Sequence, residues 1–180
     1  MPVINGKTVN ILFNEKEIAV RNKEIAEAIA KKKPKRLLIL AILKGSFIFA
    51  ADLIRALHQA GVPSTVEFIT VSSYGAGKKS KTINLLHDIQ SNVSGCDILL
   101  IDDILESGNT LQFISNLLKK RGACTVSIAV LLNKSTKCRQ VKIEADYVGF
   151  QCPNHFVVGY GMDAGHAFRQ LPFVGIVDGE

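Results

Sequence analysis

The sequence predicts an α/β fold: an open, mainly parallel sheet flanked by helices, with a small lobe appended after it. Two strand–helix–strand units recur along the chain, one from Leu37 to Val71 and one from Asp97 to Leu132. Their strands are continuous apolar runs, the pattern of strands buried on both faces between layers of helix. After Asn133 the pattern changes to short apolar pieces broken by Pro and Gly, which reads as a separate lobe and not as a continuing α/β layer.

Asn14 with Glu17 three residues later makes a capping-box start, and Ile18, Ile25, Ala26 and Ile29 then share one face of a helix running through Ala30. Leu37 to Leu43 is a strand and Lys44-Gly45 a turn. Ala50, Ala51, Ile54 and Leu57 form the inward stripe of a helix that Gly61 ends, and Val66 to Val71 is the next strand. Ser72 to Lys81 carries two glycines, three lysines and three serines, too little apolar surface to pack, so it reads as a mobile loop. Asp97 to Asp102 forms a strand, a tight turn follows, and Thr110 to Arg121 is a helix with Leu111, Ile114, Leu117 and Leu118 inward, ended by Gly122. Thr125 to Leu132 completes the second unit. Ala145 to Phe150, Phe156 to Tyr160 and Phe173 to Val177 are short strands of the lobe.

Length and composition narrow the function classes. A chain of 180 residues is the size of one domain, and 47% hydrophobic with 21% charged residues is ordinary globular material, which excludes global disorder. The Leu37–Leu43 run is seven residues, against the roughly 20 that a membrane helix needs. Residues 1–7 lack a charged leader followed by an apolar stretch, so no secretory signal is expected. The four cysteines, Cys96, Cys124, Cys138 and Cys152, form no C-x-x-C pair and read as reduced packing residues. The four histidines lack the spacing of a zinc site. A net charge of +6 favours polyanions, either nucleic acid or a phosphate-rich small substrate, and charge alone does not choose between them.

In an open parallel sheet, ligands bind beyond the carboxyl ends of the strands. There the strand Ile98 to Ile101 runs into Asp102, Asp103 and Glu106, followed by Ser107-Gly108-Asn109-Thr110 at a helix start. Unpaired amides, hydroxyls and a glycine at a helix N-terminus suit a phosphate, and acids beside them suit sugar hydroxyls or Mg²⁺. With strand geometry sustained, Asp102 and Asp103 point to opposite faces. Other phosphate motifs fail on inspection: Gly75-Ala76-Gly77 meets Ser80 where a dinucleotide fingerprint needs glycine, and Ser72 stands where a P-loop needs its first glycine. No nucleophile elbow is present.

The segment Ile98 to Leu111 resembles the phosphoribosyl pyrophosphate signature of the type I phosphoribosyltransferases, and almost the whole chain is similar to that family in the order and spacing of its motifs. Leu43-Lys44-Gly45-Ser46 looks like the pyrophosphate loop, with the Leu43–Lys44 bond cis. Ser73-Tyr74 looks like the catalytic loop, which would close over the site across Ser72 to Leu86. Lys134 looks like the lysine that meets the purine, and Phe156 to Tyr160 with Asp163 and Arg169 like the purine-binding hood.

The resemblance implies a single domain, 1–180, with the type I fold and a small hood. It implies transfer of the 5-phosphoribosyl group from phosphoribosyl pyrophosphate to the 6-oxopurines hypoxanthine or guanine, giving IMP or GMP and pyrophosphate in purine salvage. Asp102 and Asp103 would meet the ribose hydroxyls and, with Asp163, Mg²⁺. Glu106 to Thr110, with Ser107, Gly108 and Asn109 between, would hold the 5′-phosphate. Lys44, Gly45 and Arg169 would meet pyrophosphate, while Lys134, Phe156, Val157 and Asp163 would meet the purine. Glu106 stands where the family usually has Asp, at the position of the general base, and Ser107 replaces the commoner threonine. The resemblance further implies a cytoplasmic homodimer or homotetramer that needs neither nucleic acid nor membrane. A xanthine-preferring relative and a regulator that keeps the fold but binds RNA are the alternative readings.

Overall fold

In the computed structural model, residues 3, 4, 6–74, 82–134 and 139–177 are described, with the side chains of 3, 4, 73, 74 and 82 outside the description. The main sheet contains β3 (Leu37–Leu43), β4 (Ser64–Tyr74), β5 (Thr82–His87), β6 (Asp97–Leu105), β7 (Thr125–Lys134) and β8 (Tyr147–Cys152), in the order β5-β4-β3-β6-β7-β8. All neighbours are parallel except β5, which returns antiparallel along β4. Helices α1 (Glu15–Lys31) and α2 (Phe47–Gln59) cover one face, and α3 (Asn109–Lys120) covers the other.

The apolar run of β3 explains why it lies near the centre. Leu37, Ile39 and Ala41 pack with α1 and α2, whereas Leu38, Leu40 and Ile42 pack with α3. The capping box on α1 is present: Glu17 N–H donates to Asn14 Oδ1 at 3.1 Å and Asn14 N–H donates to Glu17 Oε2 at 2.8 Å. On α2 the buried residues are Phe49, Ala50, Leu53 and Leu57. Ala51 is exposed and Ile54 half-buried, so the stripe is rotated from the one expected.

Three expectations change. The tail is not wholly separate, because β8 is the sixth strand of the main sheet and pairs parallel with β7. Among the described residues, no helix joins β7 to β8, which is why the sequence pattern looked like a change of layer. The lobe also recruits the other end of the chain: its four-stranded sheet, ordered β1-β2-β10-β9, contains β1 (Val3–Ile4), β2 (Lys7–Phe13), β9 (Val157–Val158) and β10 (Val174–Val177). Val9 of β2 is fully buried there and lies opposite Val177. Finally, the segment read as a loop from Ser72 is in part a strand pair, since β4 runs through Tyr74 and Asn84 and Ile83 lie opposite Ser72 and Ser73. Residues 75–81 lie outside the description.

Candidate active site at the carboxyl ends of the strands

The carboxyl ends of β3, β6 and β7 converge beneath the lobe. The Leu43–Lys44 peptide bond that follows β3 is cis, as the resemblance implied. Gly45 is required by its neighbour: a Cβ there would stand 1.8 Å from Asp103 Oδ2. Across from it, a Cβ on Gly161 of the lobe would stand 2.2 Å from the Gly45 carbonyl oxygen. The pyrophosphate-loop candidate is thus held between β6 and the lobe with no room for a side chain on either glycine.

Asp102 and Asp103 both lie inside β6, which runs on to Leu105, past the strand end expected at Asp102. The strand's alternation slips here, because Leu99 and Ile101 face α1 and α2 while Ile104 packs on that same side and Leu105 on the opposite one. The amide of Asp103 donates to Asp102 Oδ1 at 3.0 Å and that of Ile104 donates to Asp103 Oδ1 at 2.9 Å. Each carboxyl group thus accepts from the next main-chain amide, and the two lie close enough to act on each other electrostatically. Desolvation, and then the adjacent Asp103 charge, push the Asp102 carboxyl well above the usual carboxylate range. Desolvation also raises Asp103, against the lowering effect of its hydrogen bonds and of Arg169.

Past β6 the chain turns through Glu106 and Ser107 into α3, whose N-cap is Gly108 at φ +81°. A left-handed N-cap favours glycine, and a Cβ would also meet Ile143 at 2.6 Å. Asn109 N–H donates to Ser107 Oγ at 3.4 Å, and the first main-chain bond of the helix is Gln112 N–H to the Gly108 carbonyl at 2.9 Å. Among the described residues, the amides of Glu106, Ser107 and Gly108 have no acceptor. Such a turn, joined to the positive end of a helix, binds anions. The Asn109 side chain donates to Gln140 Oε1 at 2.6 Å, and Thr110 lies half-buried in the first helical turn.

Lys134 ends β7 and is buried at 6% exposure, which its place at a strand end did not announce. Its ammonium lies 3.4 Å from Glu106 Oε1. It borders a cleft of about 1060 Å³ with Asn133, Arg139 and Gln151. On the lobe side, Val157 is buried and Phe156 is 48% exposed, so Phe156 is not a core aromatic. Arg169 donates to the Gly161 carbonyl at 2.7 Å and pairs with Asp163 Oδ1 at 2.7 Å, while Asp163 Oδ2 accepts from the His166 amide at 2.8 Å. Asp163 is thus occupied by the lobe, and among the described residues no three His, Cys, Asp or Glu side chains converge as a metal cage. Ser73 and Tyr74 end β4 by their backbone, and their side chains lie outside the description. Another cleft, of about 400 Å³, opens at the opposite ends of the strands between Leu37, Asp97 and Thr125 and contains none of the expected site residues.

The sequence reading missed the anchor of the lobe. Asn22 of α1 donates to the Tyr160 hydroxyl at 3.0 Å, and that hydroxyl donates to Asp52 of α2. Burial, then the bond to Asp52, raise the Tyr160 phenol far above its ordinary range. The one available signal was Asn22, a polar residue on the apolar stripe of α1.

A family model described as the phosphoribosyl transferase domain matches residues 8–164. Hypoxanthine phosphoribosyltransferase of Buchnera aphidicola subsp. Schizaphis graminum is 37% identical over 174 residues, with 94% of this chain and 96% of the relative covered. Hypoxanthine-guanine phosphoribosyltransferase of Lactococcus lactis is 41% identical over 172 residues, with 94% and 91% covered. A solved structure of a mutant hypoxanthine phosphoribosyltransferase from Trypanosoma cruzi, in a ternary substrates complex, superposes with a TM-score of 0.87 at 38% identity, covering 93% of this chain and 94% of that one. Fold, anion-binding turn and these matches together define a phosphoribosyltransferase, and the chain belongs to that family. Within it, relatives that this chain covers over nine tenths of their length include hypoxanthine and hypoxanthine-guanine phosphoribosyltransferases.

Proposed function

We infer that this chain is a purine salvage enzyme, transferring the 5-phosphoribosyl group from phosphoribosyl pyrophosphate to hypoxanthine or guanine. The observation that carries this reading is the juxtaposition of an unpaired amide turn at Glu106–Gly108 with Asp102 and Asp103 on one side and the buried Lys134 on the other. The turn takes the 5′-phosphate through Glu106 to Thr110, including the Ser107 and Thr110 hydroxyls and the Gly108 and Asn109 amides. Asp102 and Asp103 take the ribose hydroxyls, and Lys44, Gly45 and Arg169 take pyrophosphate. Lys134 donates to the purine O6, Phe156 covers the ring, and Val157 and Asp163 border its far edge. Ser73 and Tyr74 shield the reacting carbon from water.

A bond forms between a purine nitrogen and the anomeric carbon as the bond from that carbon to pyrophosphate breaks. The proton the purine loses passes to Glu106 at N7. Mg²⁺ fits this chemistry, because it is commonly held by one or two carboxylates plus substrate phosphates and not by an all-protein cage. Asp102 and Asp103 would hold it directly or through water, with Asp163 as a further carboxylate beside Arg169. When bound, the ion neutralises charge on the leaving pyrophosphate.

We further read 1–180 as one domain, acting in the cytoplasm as a homodimer or homotetramer. Among the described residues, no helix is long and apolar enough to cross a membrane. Pyrophosphate release, measured with hypoxanthine, guanine, xanthine and adenine, tests the activity. Turnover of hypoxanthine and guanine well ahead of xanthine, negligible turnover of adenine, and abolition by EDTA are expected. Comparable efficiency on adenine, or undiminished turnover after removal of metal, would overturn the corresponding assignment.

A further inference from the structure

We propose that Glu106 also acts as a latch on Lys134: the two side chains form a closed ion pair that an incoming 6-oxopurine must open, so Glu106 lowers the affinity for the base it helps to process. This rests on the function proposed above. An ammonium at 8% side-chain exposure needs a counter-charge, since burying it unpaired is costly. Glu106, at 47% exposure, supplies it across 3.4 Å. Register explains the meeting, because Leu105 lies opposite Asn133 on adjacent parallel strands and the next residue of each is a member of the pair.

The extra methylene of glutamate is what closes the contact. An aspartate on the same backbone would draw the carboxylate back by about 1.5 Å, one carbon–carbon bond, beyond ion-pair distance of the ammonium. A 6-oxopurine carries O6 and N7 side by side, so the base claims both members at once. Lys134 has only donors and turns to O6, and Glu106, an acceptor, turns to N7–H of the free base; in GMP N7 carries no proton, so there Glu106 gives up the pair and gains no donor in exchange. The base therefore replaces an ion pair, and its net binding is diminished by what the pair was worth.

Calorimetric titration with GMP and with ribose 5-phosphate separates the purine from the phosphate contribution. Glu106→Asp should tighten GMP about two- to fivefold, the equivalent of a half-exposed ion pair of up to about 1 kcal/mol, and leave ribose 5-phosphate unchanged. In a Lys134→Met background the same substitution should leave GMP affinity unchanged, because the partner is gone. Rising salt should narrow the difference between wild type and Glu106→Asp, as screening loosens the pair. Unchanged or weaker GMP binding in Glu106→Asp, with ribose 5-phosphate binding intact, would overturn the latch. Equal tightening in the Lys134→Met background would do so as well. Failure of the wild-type chain to bind either ligand would overturn the phosphoribosyltransferase reading itself, a separate outcome.

Discussion

Replacing Gly161 by alanine should break the contact that sets the lobe against the pyrophosphate loop. The new Cβ would lie 2.2 Å from the Gly45 carbonyl oxygen and 3.5 Å from the Phe47 ring, at φ +102°. The near neighbour is backbone, so no rotamer change relieves the clash and the lobe must back away by roughly 1 Å to restore van der Waals contact. Overpacking of this kind costs about 1–3 kcal/mol, and a Cβ in the left-handed region adds about 1–2 kcal/mol. Together these lower the melting temperature by roughly 4–20 °C for a domain of this length. Because the Gly161 carbonyl also holds Arg169, the same shift should raise KM for phosphoribosyl pyrophosphate more than KM for the purine. Gly165→Ala is the control: its φ is +57° but nothing lies within 4 Å, so only the conformational part is lost. Thermal unfolding of both variants, with separate KM determinations, measures each effect. A Gly161→Ala variant that melts with Gly165→Ala and keeps the wild-type KM would refute the claim that this contact shapes the loop.

Gly45→Ala should displace Asp103, whose Oδ2 would be 1.8 Å from the new Cβ, and raise KM for phosphoribosyl pyrophosphate while the fold survives; steady-state kinetics beside a melting curve checks this. Tyr160→Phe strips a partner from both Asn22 and Asp52 and should cost about 1–3 kcal/mol in urea unfolding. Glu106→Gln should lose on the order of 10²–10⁴ in the chemical step while keeping ribose 5-phosphate affinity, read by pre-steady-state rates and calorimetry. The paired Arg121 guanidinium holds the Asp88 carboxyl below its usual range, so this pair stabilises the chain above the ordinary aspartate pKa and the gain is lost as pH falls through the lowered value. Both partners are about a third or more exposed, so the gain is at most about 1 kcal/mol, and Asp88→Asn should flatten the fall in unfolding free energy below roughly pH 4 by that amount, read by urea unfolding across pH.

Patterns confined to a dozen neighbouring residues were legible in the chain itself. The capping box at Asn14 and Glu17, the two-sided burial of Leu37 to Ile42 and the acid-then-small turn from Asp102 to Thr110 follow from local spacing. The acids and small residues of the candidate anion-binding turn are contiguous and were legible for the same reason, whereas Lys44, Lys134, Phe156, Asp163 and Arg169 entered only through the resemblance to the family.

Distance along the chain marks where that legibility stopped. The strand Lys7–Phe13 has a lobe to join only once the chain's far end returns, so its weak alternation carried no signal alone. Tyr147–Cys152 looked like part of the lobe because its membership of the main sheet is decided by pairing with Thr125–Lys134. Apolar runs, caps and turns in the 180 residues are enough to specify a layered α/β fold with phosphate chemistry at one end, because backbone geometry and hydrophobic period are local properties. Packing alone closed Glu106 on Lys134, set Gly45 against Asp103 and pressed Gly161 against Gly45, because each depends on atoms that only a folded chain brings within a few ångströms.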